Sequence, residues 1–86
     1  MNIKINQSNN AFKTSSVTRS VYNNEANAIN SFLELAHNYS LNGFVIDWCE
    51  NTFQAVKGDI IIDFNIEGLS NEFVYFSQLF AEKYIK

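Results

Sequence analysis

The clearest alternation in the chain runs from Asp59 to Glu67. Ile60, Ile62, Phe64 and Ile66 fall on one side of an extended backbone, and Asp59, Ile61, Asp63, Asn65 and Glu67 on the other. This period of two predicts a strand buried on one face and wet on the other, as in an antiparallel sheet. Burying the four apolar side chains contributes roughly 6 to 12 kcal/mol before entropy, as an upper bound. A one-residue slip would carry Asp63 and Glu67 into the core, so the register is well specified.

The same reading extends in both directions. Met1, Ile3 and Ile5 alternate with Asn2, Lys4 and Asn6 as a short strand, Gln7-Ser8-Asn9-Asn10 has the composition of a turn, and a returning strand lies within Ala11 to Tyr22. The Ser/Thr-rich middle of that segment, Thr14-Ser15-Ser16, predicts a bend or bulge. From Glu25 to Tyr39 the period changes to that of a helix. Ala26, Ala28, Ile29, Phe32, Leu33, Leu35, Ala36 and Tyr39 share one half of the wheel, with Asn23 or Asn24 as the N-cap and Asn42-Gly43 as the stop.

Phe44 to Cys49 alternates again, and Glu50-Asn51 and Gly58-Asp59 read as two-residue hairpin loops. Counting outward from them aligns Trp48, Phe53 and Phe64 across three strands on the inner face, beside Ile46, Ala55 and Ile62. The outer face receives one row of Asp47, Gln54 and Asp63 and another of Val45, Val56 and Ile61. A last helix opens at Leu69-Ser70, with Ser70 as cap, Leu69 stapled on Val74 and Glu72 in the first turn. Its buried stripe is Phe73, Phe76, Phe80 and Tyr84, which leaves Tyr75 and Leu79 projecting away as candidates for self-association. The predicted fold is α+β: an antiparallel sheet of four to five strands with two helices packed on one face, in the order β-β-α-β-β-β-α. At 86 residues the chain has room for one core, so residues 1–86 form a single domain.

Composition narrows the chemistry. Eight Phe, four Tyr and one Trp supply the bulk that a small core needs. One cysteine, Cys49, excludes an intrachain disulfide and fits a reducing compartment. The N-terminal segment lacks the apolar stretch of a signal peptide and no run is long enough to span a bilayer, so a cytoplasmic location is expected. The net charge of -3 is unevenly spread: residues 1–24 hold Lys4, Lys13 and Arg19 and no acid, and all nine acids follow.

Catalysis finds little support. His37 is the only histidine and lies on the polar edge of its helix, apart from Cys49, so no activated nucleophile assembles. Asp47 and Asp63 lie two strand spacings apart, roughly 9.5 Å. That separation suits an inverting carboxylate pair, but on an open sheet face with no evident pocket they read as solvated charges. The three glycines are explained as turns or helix stops, leaving no phosphate cradle, and neither a metal site nor a cofactor is expected. From Asn23 onward the element order resembles that of the double-stranded-RNA-binding domain, a family that grips phosphate with lysines at the start of its second helix. The matching positions are Ser70, Asn71 and Glu72, and the pI is 4.9, so direct nucleic-acid binding is not expected unless the basic hairpin performs it.

The outer sheet face remains. Either the N-terminal hairpin or a loop covers Val45, Val56 and Ile61 and the acids are a solvated rim, or the face is an interface with an apolar centre and acidic surround for a basic partner. In size, solitary-domain layout, asparagine-rich composition and acidic strand faces at Asp47 and Asp59 to Glu67, the chain resembles the small acidic inhibitors made by phages and mobile elements, of which anti-CRISPR proteins are the best-known group. The resemblance implies a non-catalytic, phage-encoded protein acting on a nucleic-acid-handling complex in the host cytoplasm, with Asp47, Asp63 and Glu67 as first contacts. The expected binding set is thus Asp47, Gln54, Asp63, Glu67, Val45, Val56 and Ile61, with a monomer or homodimer as the assembly. The alternative is a homo-oligomeric accessory or structural protein joined through the valine row or through Tyr75 and Leu79.

Overall fold

The structure is a computed structural model that describes residues 2–9, 13–49, 52–68 and 76–85. Its elements follow the order β1 (Asn2–Asn9), β2 (Thr14–Val21), α1 (Glu25–Leu41), β3 (Val45–Cys49), β4 (Thr52–Lys57), β5 (Ile60–Glu67) and α2 (Phe76–Tyr84). The five strands form one antiparallel sheet in the order β2-β1-β5-β4-β3, so the longest alternating segment of the sequence is the central strand. The architecture is α+β, as the periodicities predict.

The register of the meander matches the count from the two hairpin loops. Trp48 pairs with Phe53 and Phe53 with Phe64, while Asp47, Gln54 and Asp63 line up on the opposite face. Phe53 and Phe64 stack across strands with centroids 4.3 Å apart. Gly58 turns the β4–β5 hairpin at a φ of 59°, in the left-handed region that a primed turn demands.

Two expectations for the N-terminal hairpin need correction. Gln7, Ser8 and Asn9 belong to β1 rather than to a turn, because they pair with β2 on one side and with Ile62, Ile61 and Ile60 of β5 on the other. Ladder bonds from both neighbours override the turn propensity of a polar run. The bend or bulge expected near Thr14-Ser15-Ser16 is absent: β2 keeps an unbroken register from Thr14 opposite Asn9 to Val21 opposite Asn2. Lys13, at a φ of 54°, takes the left-handed conformation just before β2 begins.

Helix α1 starts as the sequence predicts. The Asn24 side chain accepts from the backbone N–H of Ala26 at 2.8 Å and of Asn27 at 3.3 Å, meeting two of the donors that a helix start leaves unpaired. Ala28, Phe32, Leu33 and Ala36 are buried, and Ala26, in the first turn, is exposed. The C-terminal end carries no basic residue of its own, and Lys57 of β4 supplies the cation there. Its Nζ donates to the Asn42 carbonyl at 2.9 Å and lies 5.7 Å from the centre of the Phe44 ring.

Both helices lie on the inner face of the sheet. Phe32 is fully buried and meets Phe53 at 4.9 Å, Phe76 at 5.2 Å and Trp48 at 6.3 Å, each edge to face. Trp48 also meets Phe80 at 5.5 Å. His37 does not face water as its place on the wheel suggests; it stacks on Tyr84 at 4.0 Å and so joins α1 to α2. Leu79 is half-buried and packs against the core, which leaves it poorly placed to project outward. The expectations for Glu50, Asn51, Leu69, Ser70, Glu72, Phe73, Val74 and Tyr75 fall outside the described residues.

Phe32→Ala is expected to lower unfolding stability by about 3 to 5 kcal/mol, the range for truncating a buried aromatic. Lys57→Met, which keeps the stem and removes the charge, should cost only about 0.3 to 1 kcal/mol. Urea unfolding midpoints at unchanged slope check both.

Candidate functional site

The outer face of the sheet is built by strand parity alone. Because inward and outward residues alternate, burying Ile62, Phe64 and Ile66 of β5 sends Ile61, Asp63, Asn65 and Glu67 outward, and each brings its ladder partners to the same side. Three rows result. The first is Ser15, Ser8, Ile61, Val56 and Val45; the second Val17, Asn6, Asp63, Gln54 and Asp47; the third Arg19, Lys4, Asn65, Thr52 and Cys49.

The hairpin β1–β2 extends the sheet sideways rather than folding over it, so it does not cover the valine row. With both helices on the inner face, no described element covers the outer one. Val45 is 70% exposed and Val17 52%, whereas Val56 and Ile61 are half-buried among their neighbours.

Asp47, Gln54 and Asp63 lie side by side as expected, and the Gln54 amide donates to the Asp63 carboxylate at 2.8 Å. Around them is a shallow hollow of about 320 Å³, lined by Asp47, Cys49, Thr52, Gln54, Asp63 and Asn65 with Phe53 and Phe64 beneath. At its edge the Thr52 hydroxyl donates to the Cys49 carbonyl at 2.7 Å. The hollow is open to solvent. Among the described residues no cluster of three or more metal-ligating side chains occurs.

Glu67 stands apart from this group. It lies four residues along β5 from Asp63, roughly 13 Å, and its carboxylate accepts from the Arg19 guanidinium at 3.3 Å. Lys4 and Arg19 share the face but escaped the sequence reading, because nothing in the alternation of β1 says which sheet edge receives the hairpin. Once Ile3 is placed beside Ile66, parity puts Lys4 outward next to Asn65. The outer face is therefore divided by charge, with Lys4 and Arg19 on β1 and β2, and Asp47 and Asp63 on β3 and β5.

Parity yields a direct test. Asp47→Lys and Asp63→Lys should each shift stability by less than about 1 kcal/mol, as exposed substitutions do. Ile62→Lys, one residue away and facing inward, should abolish cooperative folding in circular dichroism and thermal melts.

No described helix is long and apolar enough to cross a membrane. No family model, no curated protein and no solved structure matches the chain.

Proposed function

We propose that this chain is a non-catalytic binding protein that inhibits or regulates a partner, docking through the acidic half of its outer sheet face. The observation that carries the reading is the uncovered side-by-side placement of Asp47, Gln54 and Asp63 next to the apolar row Val45, Val56 and Ile61. A small greasy centre bordered by carboxylates is matched by a surface of Lys and Arg around an apolar patch. The apolar row supplies contact area, and the acids supply steering and rejection of wrong partners.

A host complex that handles nucleic acid fits such chemistry, because its working surfaces are basic where they hold phosphate. Two carboxylates and a hollow do not copy a duplex, which carries a charge about every 1.7 Å. They suffice to seat the protein on a basic groove and obstruct it sterically. Glu67 is a secondary contact in this reading, since Arg19 already engages it.

Affinity capture from the native cytoplasm, run in parallel with the wild type and with Asp47→Lys/Asp63→Lys, tests the proposal. A basic partner retained by the first and lost by the second is expected, with binding weakened by about 1 kcal/mol or more per reversed charge and falling as salt rises. A partner held equally by both forms would remove the acidic half-face as the docking site.

A further inference from the structure

The outer face carries charges of both signs, and their arrangement is the starting point. Lys4 and Arg19 are directly opposite one another on β1 and β2. Asp47 and Asp63 occupy the adjacent row on β3 and β5. The sheet order places β2 at one edge and β3 at the other. A two-fold axis parallel to the strands, lying over the middle of the sheet, carries the β2 edge of one copy onto the β3 edge of a second. The basic margin of each copy then faces the acidic margin of the other.

We infer that this face binds a second copy of the chain, the two outer faces stacking into a sandwich in which Arg19 of each copy meets Asp47 of the other. Charge complementarity is the first support. Arg19 has five donors in its guanidinium, one of which meets Glu67 at 3.3 Å across an exposed pair, so donors remain for a second carboxylate. Reach is the second: the axis keeps each row at its own height, so Arg19 lies over Cys49, one row or roughly 7 Å along the strand from Asp47, a gap that its long side chain spans. Area is the third. Five strands about 4.8 Å apart, averaging about seven residues at about 3.4 Å each, present a planar footprint of roughly 600 Å². Two such faces bury on the order of 1,200 Å², the lower end of specific interfaces, which fits a reversible dimer in the micromolar range.

Two contacts oppose the arrangement: Val17, in the same row as Asp47, lies over that carboxylate, and Asp63 meets its own mate. Asp63 lies on the central strand, so it approaches its own symmetry mate near the axis, and the Gln54 amide at 2.8 Å is its described hydrogen-bond donor. The like-charge contact caps the affinity. It also separates self-association from the proposed partner contact, in which Asp63 is favourable. The dimer would mask the acidic half-face, so copy and partner compete for it; the inference goes beyond the proposed function and rests on the basic half-face, which that reading does not use.

Sedimentation equilibrium over a micromolar to millimolar concentration series is the test. The wild type is expected to dimerise reversibly and to dissociate as salt is raised. Arg19→Glu alone and Asp47→Arg alone should each weaken the dimer at least about tenfold, since each puts like charges together at both symmetric contacts. An equimolar mixture of the two variants should recover a heterodimer of near wild-type affinity. In it one contact pairs the introduced glutamate with the introduced arginine and the other keeps the original Arg19 and Asp47, so both are of opposite sign. Asp63→Asn should tighten the dimer while weakening capture of a basic partner. A wild type that stays monomeric across the series, a dimer indifferent to both single variants, or a mixture that fails to recover would each overturn the inference. Failure of the wild type to capture any basic partner would bear on the proposed function alone.

Discussion

Everything in the structure is hung on the double pairing of β5. Its eight residues are bonded along their full length to β1 and along six to β4, and its inward side chains form the floor on which both helices rest. Phe64 is the keystone of that floor, stacked on Phe53 at 4.3 Å and met edge-on by Tyr39 of α1 at 5.2 Å. Phe32 stands one layer above and collects rings from the sheet and from α2. Aromatic contacts of this kind add about 0.5 to 1.5 kcal/mol each beyond their area. In a chain with so little volume to bury, that is a large share of what holds it together.

The same constraint leaves the far side of the sheet uncovered. Two helices, each about 10 Å across, cover about 20 Å of a sheet roughly 24 Å wide. The strand left over is β2, and its sequence agrees: Ser16, Thr18 and Ser20 occupy the inward-facing positions that carry Ile or Phe on the central strand, and all three are exposed. An outer face without helices must be tolerable to water, which accounts for its Asp, Gln, Asn, Ser and Thr.

Much of this was legible in the residues. The alternation at β5, the glycine turn at Gly58 and the wheel of α1 all report local physics, and local physics decided the outcome there. The join between Ile3 and Ile66 was not legible, because a polar-alternating hairpin suits either edge of a meander and only the packed core chooses. That choice set the neighbours of Lys4 and Arg19, so half of the candidate site was hidden with it. Gln7 to Asn9 misled for a related reason: a turn-prone composition yields when strands on both sides supply its hydrogen bonds. His37 was read from its own helix alone, and the ring it stacks on belongs to another.

The hairpin's lopsided support also orders how the molecule opens. β1 is clasped from both sides, but β2 has a ladder on one flank only, with all its described side chains open to water. Its amides therefore exchange with solvent through fluctuations far smaller than global unfolding, while those of β5 wait for the whole sheet to come apart. Peeling β2 away detaches Arg19 from Glu67 and strips the positive margin from the face without disturbing the aromatic core, so the electrical character of that surface is governed by its least anchored ribbon.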